Sequence, residues 1–285
     1  MYGYETWALL NGVFIPAVTA DTDLDRNRID SSGIYGGALS GTGIPIGNVH
    51  YYDWPNITAS FSADATEGLL DTVRTMVMAR HQPVSITLNN SIRGCQQVNQ
   101  AWWNSIQIQT AEDSLVSVTM NLNALERNIF TVNNFTDYWQ DILGGLGGSV
   151  SAFSVTGGQI PFWKTQIREF DLVKGWTVSL TQTVNRFMGC FNNSGDTPEN
   201  PFVLGMGVMN GTISFNTYEN PSPDISAMPF KHSGSSLNSR QPITIVIDGN
   251  DFMSFGCELN RVNDPLSGVA SLSDLNYDYQ IYDIL

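Results

Sequence analysis

The sequence predicts a mainly β protein with one or two short helices, arranged as two tandem β-sandwich or half-barrel domains. Three observations lead there: apolar and polar residues alternate with period two in both halves, a set of short anchors recurs in order, and charge is sparse. Of the 285 residues 42% are apolar, enough to fill ordinary cores and to exclude a disordered chain. Only 14% are charged, with Asn, Ser, Thr and Gly in their place, a mixture that suits strands and turns better than solvated helices.

The alternation is plain at Val84, Ile86 and Leu88, and again at Val116, Val118, Met120 and Leu122. In the second half it returns at Ile213 and Phe215, at Ile243, Ile245 and Ile247, and at Tyr277, Tyr279 and Ile281. Half-buried antiparallel strands leave this signature. One helix is predicted at about 66–79, where Leu69, Leu70, Val73, Met76 and Val77 form a stripe. Asp64 and Glu67 resemble a capping box, and Gln82-Pro83 ends the helix and opens a strand. A second short helix is predicted at 134–143, with Thr136 as N-cap and Gly144-Gly145 as its stop.

Four anchors repeat. Leu9–Pro16 matches Ser154–Pro161; Trp54 with Ile57–Phe61 matches Trp176 with Val178–Leu180; Gln82–Leu88 matches Gln241–Ile247; and Gly94-Cys95 matches Gly256-Cys257. Their spacings are unequal, so each copy carries an insertion the other lacks, which surface loops absorb at little cost. The expected domains are therefore 1–130, with a long loop at 17–53, and 151–285, with a long insertion at 185–240; 131–150 forms a short helix and a Gly-rich linker. The helix of the second copy, expected within 222–240, is degraded by Pro223, Pro229 and Gly234.

Charge and targeting narrow the function classes. A net charge of −14, from 27 acids against 13 bases, repels phosphate backbones and anionic membrane surfaces alike. No signal peptide and no membrane-spanning run is expected. Cys95, Cys190 and Cys257 read as buried reduced thiols rather than a disulfide framework. The triplets Asn56-Ile-Thr58 and Asn210-Gly-Thr212 carry no information on glycosylation without a secretory signal.

No catalytic, cofactor-binding or metal-binding residue is assigned, and the chain is expected not to be an enzyme. Asp21, Asp23 and Asp25 start like a calcium loop, but Arg26 and Ser32 stand where its Gly and Glu belong, so a solvated acidic loop is expected. His50, His81 and His232 lie far apart without a paired metal spacing. Gly33–Gly43 lacks the Lys of a phosphate loop. Trp102-Trp103 is the most tempting binding feature; a sugar-stacking platform is weighed against a core or subunit-contact role, which is preferred.

A tandem pair of small β-domains, each with a Gln-Pro strand, a Gly-Cys strand and a closing alternating strand, resembles the tail tube proteins of tailed phages. The long loop 17–53 after the first hairpin adds to the likeness. The resemblance implies a structural virion protein that assembles in the host cytoplasm into stacked rings, a conduit for DNA ejection. Two domains per chain would make three copies a pseudo-sixfold ring. The partners it implies are other copies of the chain and other tail proteins (sheath, baseplate, tape measure, terminator). DNA would pass without specific binding along an acidic wall. A baseplate hub or tube initiator, a carbohydrate-binding β-sandwich and a hydrolase with an unrecognised site are the alternatives.

Overall fold

The computed structural model of the chain describes residues 6–25, 28–30, 50–52, 56–90, 94–112, 114–130, 164–170, 173–187, 203–218, 240–263 and 274–285. The elements in the first half are β1 (Thr6–Leu10), β2 (Val13–Asp25), β3 (Arg28–Asp30), β4 (His50–Tyr52), β5 (Asn56–Asp64), α1 (Glu67–Met78), β6 (Val84–Asn90), β7 (Gly94–Thr110) and β8 (Ser117–Phe130). Those in the second are β9 (Thr165–Ile167), β10 (Val173–Phe187), β11 (Val203–Tyr218), β12 (Arg240–Ile247), β13 (Asn250–Asn263) and β14 (Asp274–Ile284). The protein is mainly β, with one helix among the described residues.

Local chemistry explains the elements. β1 and β2 join through Asn11-Gly12 (φ 49° and 84°), and β12 and β13 through Asp248-Gly249 (φ 48° and 81°). Both pairs supply the left-handed conformation that a two-residue hairpin turn requires. Along β8, Val118, Met120, Leu122 and Ala124 are buried while Ser117, Thr119, Asn121 and Asn123 alternate with them toward solvent. In α1, Leu69, Leu70, Val73, Met76 and Val77 are buried as the stripe predicted. The cap is Thr66, whose hydroxyl accepts from the Leu69 amide at 3.3 Å, and not Asp64, which belongs to β5. A buried hydroxyl one residue before the helix reaches the free amides more directly than a carboxylate still held in a sheet.

Twelve strands form one antiparallel sheet in the order β6-β1-β2-β5-β8-β7-β10-β11-β14-β13-β12-β9, and β3 pairs with β4 apart from it. Because β6 also pairs with β7, the first six strands close into a circuit. The other six follow the same course: β9, β12, β13, β14, β11 and β10 take the places of β1, β6, β7, β8, β5 and β2. No ladder joins β9 to β10 among the described residues, but Trp176 donates its indole N–H to the Thr165 hydroxyl across that gap at 3.2 Å. One hydrophobic cluster runs through both halves.

Bulges fix the correspondence residue by residue. β2 carries one extra residue against β5 between Ala17 and Thr19, and β10 one against β11 between Val173 and Gly175. β7 carries an extra residue, Asn104, against β8, and β13 carries Asn260 at the same point against β14. Thr19 thus corresponds to Gly175, Leu24 to Leu180, Trp103 to Leu259 and Phe61 to Phe215.

This corrects several expected alignments. The sequence pairs the Trp54/Ile57–Phe61 anchor with β10, whereas β5 corresponds to β11, where Asn56-Ile-Thr-Ala-Ser-Phe61 meets Asn210-Gly-Thr-Ile-Ser-Phe215. The Gln-Pro anchor matches β6 with β12 but two residues out of register: Ile86 lies opposite Val98 and Ile243 opposite Phe255, while Pro83 precedes its strand and Pro242 sits inside one. The Gly-Cys anchor also slips, since Cys257 corresponds to Ala101 and not to Cys95. The segment 17–53 is not all loop, for β2 runs to Asp25 and β3 and β4 lie within it. The span 185–240 likewise holds β11. Ser154–Pro161, the helix at 134–143, the linker 131–150 and the second-copy helix within 222–240 lie outside the described residues, as do Gly33–Gly43, Cys190 and His232.

Candidate assembly surface

The junction between the halves is made by one strand. β7 pairs with β8 along nearly its whole length, but its other edge changes partner midway. Gly94–Ala101 face β6, and Ser105–Thr110 face β10. The switch falls on two irregularities, an offset between Val84 and Ile86 with Gln100 at φ 49°, and the Asn104 bulge. Each extra residue bends the strand and sharpens its twist, which lets one strand leave the first circuit and enter the second.

Polar atoms buried at the bend hold it. Gln182 of β10 donates its side-chain N–H to the Trp103 carbonyl at 2.7 Å. Asn104 donates to the Asn123 side-chain oxygen at 3.4 Å. The side-chain oxygens of Gln182 and Asn104 are buried without a hydrogen-bond partner among the described residues. Farther along, Trp176, Val178 and Leu180 of β10 and Ile106 and Ile108 of β7 are buried, so the join is packed as a core. Its far end needs Gly175, because a Cβ there would stand 2.8 Å from the Thr110 carbonyl oxygen. A surface groove of about 470 Å³ opens at this end, lined among others by Thr110, Glu112, Lys174, Asn216, Asn276 and Asp278.

The two tryptophans serve the helix. Trp103 is buried and donates its indole N–H to the Met76 carbonyl at 3.2 Å, satisfying one of the carbonyls that a helix end leaves open. Trp102 is half-buried on the opposite face and donates to the His81 carbonyl at 3.2 Å. Together they pin the end of α1 and the following turn onto β7. With Trp103 in the core and both indole N–H groups engaged, the pair clamps the end of α1 to the sheet.

The other singled-out residues stay apart. Asp21, Asp23 and Asp25 lie on β2 rather than in a loop, and Asp21 and Asp23 accept from the Thr22 and Leu24 amides at 2.9 and 2.8 Å. His81 is exposed in the turn after α1, and His50 begins β4. Cys95 lies in β7. Cys257 is a buried free thiol, pushed up to about 12 by burial and then by the Glu169 carboxylate. Burial also raises the Tyr279 phenol, with Tyr277 and Cys257 adding to the shift, although Gln241 donates to its oxygen at 2.7 Å. Among the described residues no three metal-ligating side chains gather.

Sequence reasoning did not single out the strand edges. β1 reaches only Val13–Pro16 of β2, and beyond that point β2 has β5 on one side and no strand on the other among the described residues. β12 covers β13 only as far as Glu258, so Leu259–Asn263 pair with β14 alone among the described residues. Leu24 is 36% exposed on β2. A second surface feature is a groove of about 380 Å³ lined by Val77, Met78, Arg80, Val208, Tyr282 and Ile284, where Met78, Val208 and Tyr282 are exposed.

No protein family matches the chain, and no curated protein sequence does. Solved structures do match. One is a chain in the virion of a native gene transfer agent particle, 10% identical, with a TM-score of 0.33, covering 46% of this chain and 99% of that one. Another is a chain in the tail of an empty gene transfer agent particle with C6 symmetry, 9% identical, with a TM-score of 0.29, covering 40% of this chain and 82% of that one.

Proposed function

We propose that this chain is a structural protein of a phage-like tail, with no catalytic role, that joins to copies of itself edge to edge and forms the rings of a tail tube. The observation that carries the reading is the β7–β10 ladder: two halves with the same strand course are already fused into one sheet within a single chain. Unpaired strand edges are an aggregation hazard unless something covers them. A heterologous contact covers them in every copy, and it closes into a ring when its rotation allows. Two halves per chain make a trimer with pseudo-sixfold symmetry the natural closure. The surplus of 27 acidic over 13 basic residues suits a conduit to which DNA does not adhere. Sheath, baseplate, tape-measure and terminator proteins are the partners such a ring would meet, in the tail of a virion assembled in the host cytoplasm.

Electron microscopy of the purified chain tests this. Rings or stacked rings with a central hole, three chains to each ring, are the expected result. Compact monomers at every concentration up to the millimolar range would falsify it.

A further inference from the structure

The intrachain join provides a template for a join between chains. Where β7 meets β10, Ser105 faces Thr181, Ile106 faces Leu180 and Gln107 faces Ser179. Each of these residues has a counterpart in the other half, placed there by the shared bulges. Ser105, Ile106 and Gln107 correspond to Arg261, Val262 and Asn263 at the end of β13. Thr181, Leu180 and Ser179 correspond to Asp25, Leu24 and Asp23 on β2. Both counterpart segments sit on strand lengths that have a ladder on one side only among the described residues.

We infer that Arg261–Asn263 of β13 pair antiparallel with Asp23–Asp25 of β2 in a second copy of this chain, in the register that β7 takes on β10. This rests on the proposed self-assembly and names its contact. Three observations point the same way. First, the edges that have no second ladder among the described residues belong to the two strands that correspond to β7 and β10, and to the same stretch of each. Second, Leu180 is fully buried at the intrachain join, whereas its counterpart Leu24 is 36% exposed. The inferred register sets Leu24 across from Val262, as Leu180 is set across from Ile106. Third, charge is complementary: the register brings Arg261 opposite Asp25 and places Asp23 opposite neutral Asn263. Opposite charges directly across strands stabilise a pair and like charges disfavour it.

The intrachain join is neutral at these positions, so charge distinguishes the contact between chains from the one within. The inferred contact is shorter than its template, since Thr19 stands where Gly175 permits the closest approach of the intrachain strands. The geometry is head to tail. Three chains joined in this way alternate three intrachain with three interchain joins around a ring.

The test uses the full-length chain carrying Leu24→Cys and Val262→Cys together, oxidised after assembly and run without reductant, beside wild type and each single variant. A covalent ladder that ends at the trimer, specific to the double variant, is expected. Charge variants read the same contact in solution by sedimentation velocity. Asp25→Arg and Arg261→Asp should each raise the concentration needed for assembly by about tenfold, and the double exchange should restore most of it. Each variant is first matched to wild type in far-ultraviolet circular dichroism. If wild type forms rings but the cysteines link nothing and the charge variants assemble normally, the register is wrong while the assembly reading stands. A link within one monomer also overturns the inference. Absence of any assembly by wild type removes both.

Discussion

The two halves trace the same six-strand course, yet the first closes on itself and the second is entered by a strand from its neighbour. The cores differ as well. In the first half Phe61 packs in line with Met120 and Leu122, and in the second the matching positions hold Phe215, Tyr277 and Tyr279. Those three rings stack, Phe215 lying 5.0 Å from Tyr277 and 5.8 Å from Tyr279 at shallow angles, with Phe170 tilted against Phe215 at 4.6 Å. Elsewhere the exchange runs from large to small: Ile57 is matched by Gly211, where a Cβ would meet Leu180 and Ile281 at 2.8 Å, and Thr19 by Gly175. The strand course is thus preserved by pairing and bulges, while the side chains on it are free to fit either an outer edge or an internal join.

Substitutions read against the matching positions of the other half test this view. The largest effect is expected from Trp103→Ala, which empties a buried indole site and releases the Met76 carbonyl. A loss of about 3–5 kcal/mol is predicted, read by urea unfolding. Next, Cys257→Ala installs the residue found at the matching Ala101. The folded thiol titrates near 12 and an unfolded one near 9, so the wild-type protein holds its full stability below about pH 9 and loses this contribution as pH rises from there toward 12. The variant should lack that part of the alkaline decline, each unit of pKa difference being worth about 1.4 kcal/mol at most. Denaturation midpoints measured from pH 8 to 11 decide the point; parallel curves for the two proteins would show that the thiol titrates alike in the folded and unfolded states.

Gly175→Ala drives a methyl group into the Thr110 backbone and should cost about 1–3 kcal/mol. Thr19→Ala, at the corresponding exposed position of β2, should change stability by less than about 0.5 kcal/mol. Equal effects would mean that the join is not tight there. Smallest is the contrast between Phe215→Leu and Phe61→Leu. The first breaks ring stacking and should exceed the second by about 0.5–1.5 kcal/mol, measurable as a difference in thermal midpoint.

Much of this architecture was legible locally. Alternation located β6, β8, β11, β12 and β14, and the apolar stripe located α1 within a residue or two of its observed limits. The hairpin at Asn11-Gly12 follows from turn chemistry alone. Pairing partners were less accessible, because a ladder joins residues far apart in the chain and leaves no mark in either strand by itself. The repeat shows the cost. Asn56-Ile-Thr-Ala-Ser-Phe61 and Asn210-Gly-Thr-Ile-Ser-Phe215 share four of six residues in register, yet by sequence alone their triplets read only as glycosylation signals. Trp54 and Trp176 point to β10 instead, since a shared tryptophan is more conspicuous than four ordinary residues. The edges proposed for assembly left no sequence signal beyond the alternating acids of β2, for an edge is defined by what lies beside it.

The change of partner along β7 has a consequence for how the molecule comes apart. A strand shared by the two halves transmits loosening from either to the other, so no cut between the halves would yield two pieces that each keep a full complement of ladders. Severing the chain after residue 130 would strip β10 of its neighbour at Trp176–Thr181 and lay Val178 and Leu180 open to water. Fusion therefore does more than tether two similar units: it makes the integrity of one a condition for the solubility of the other.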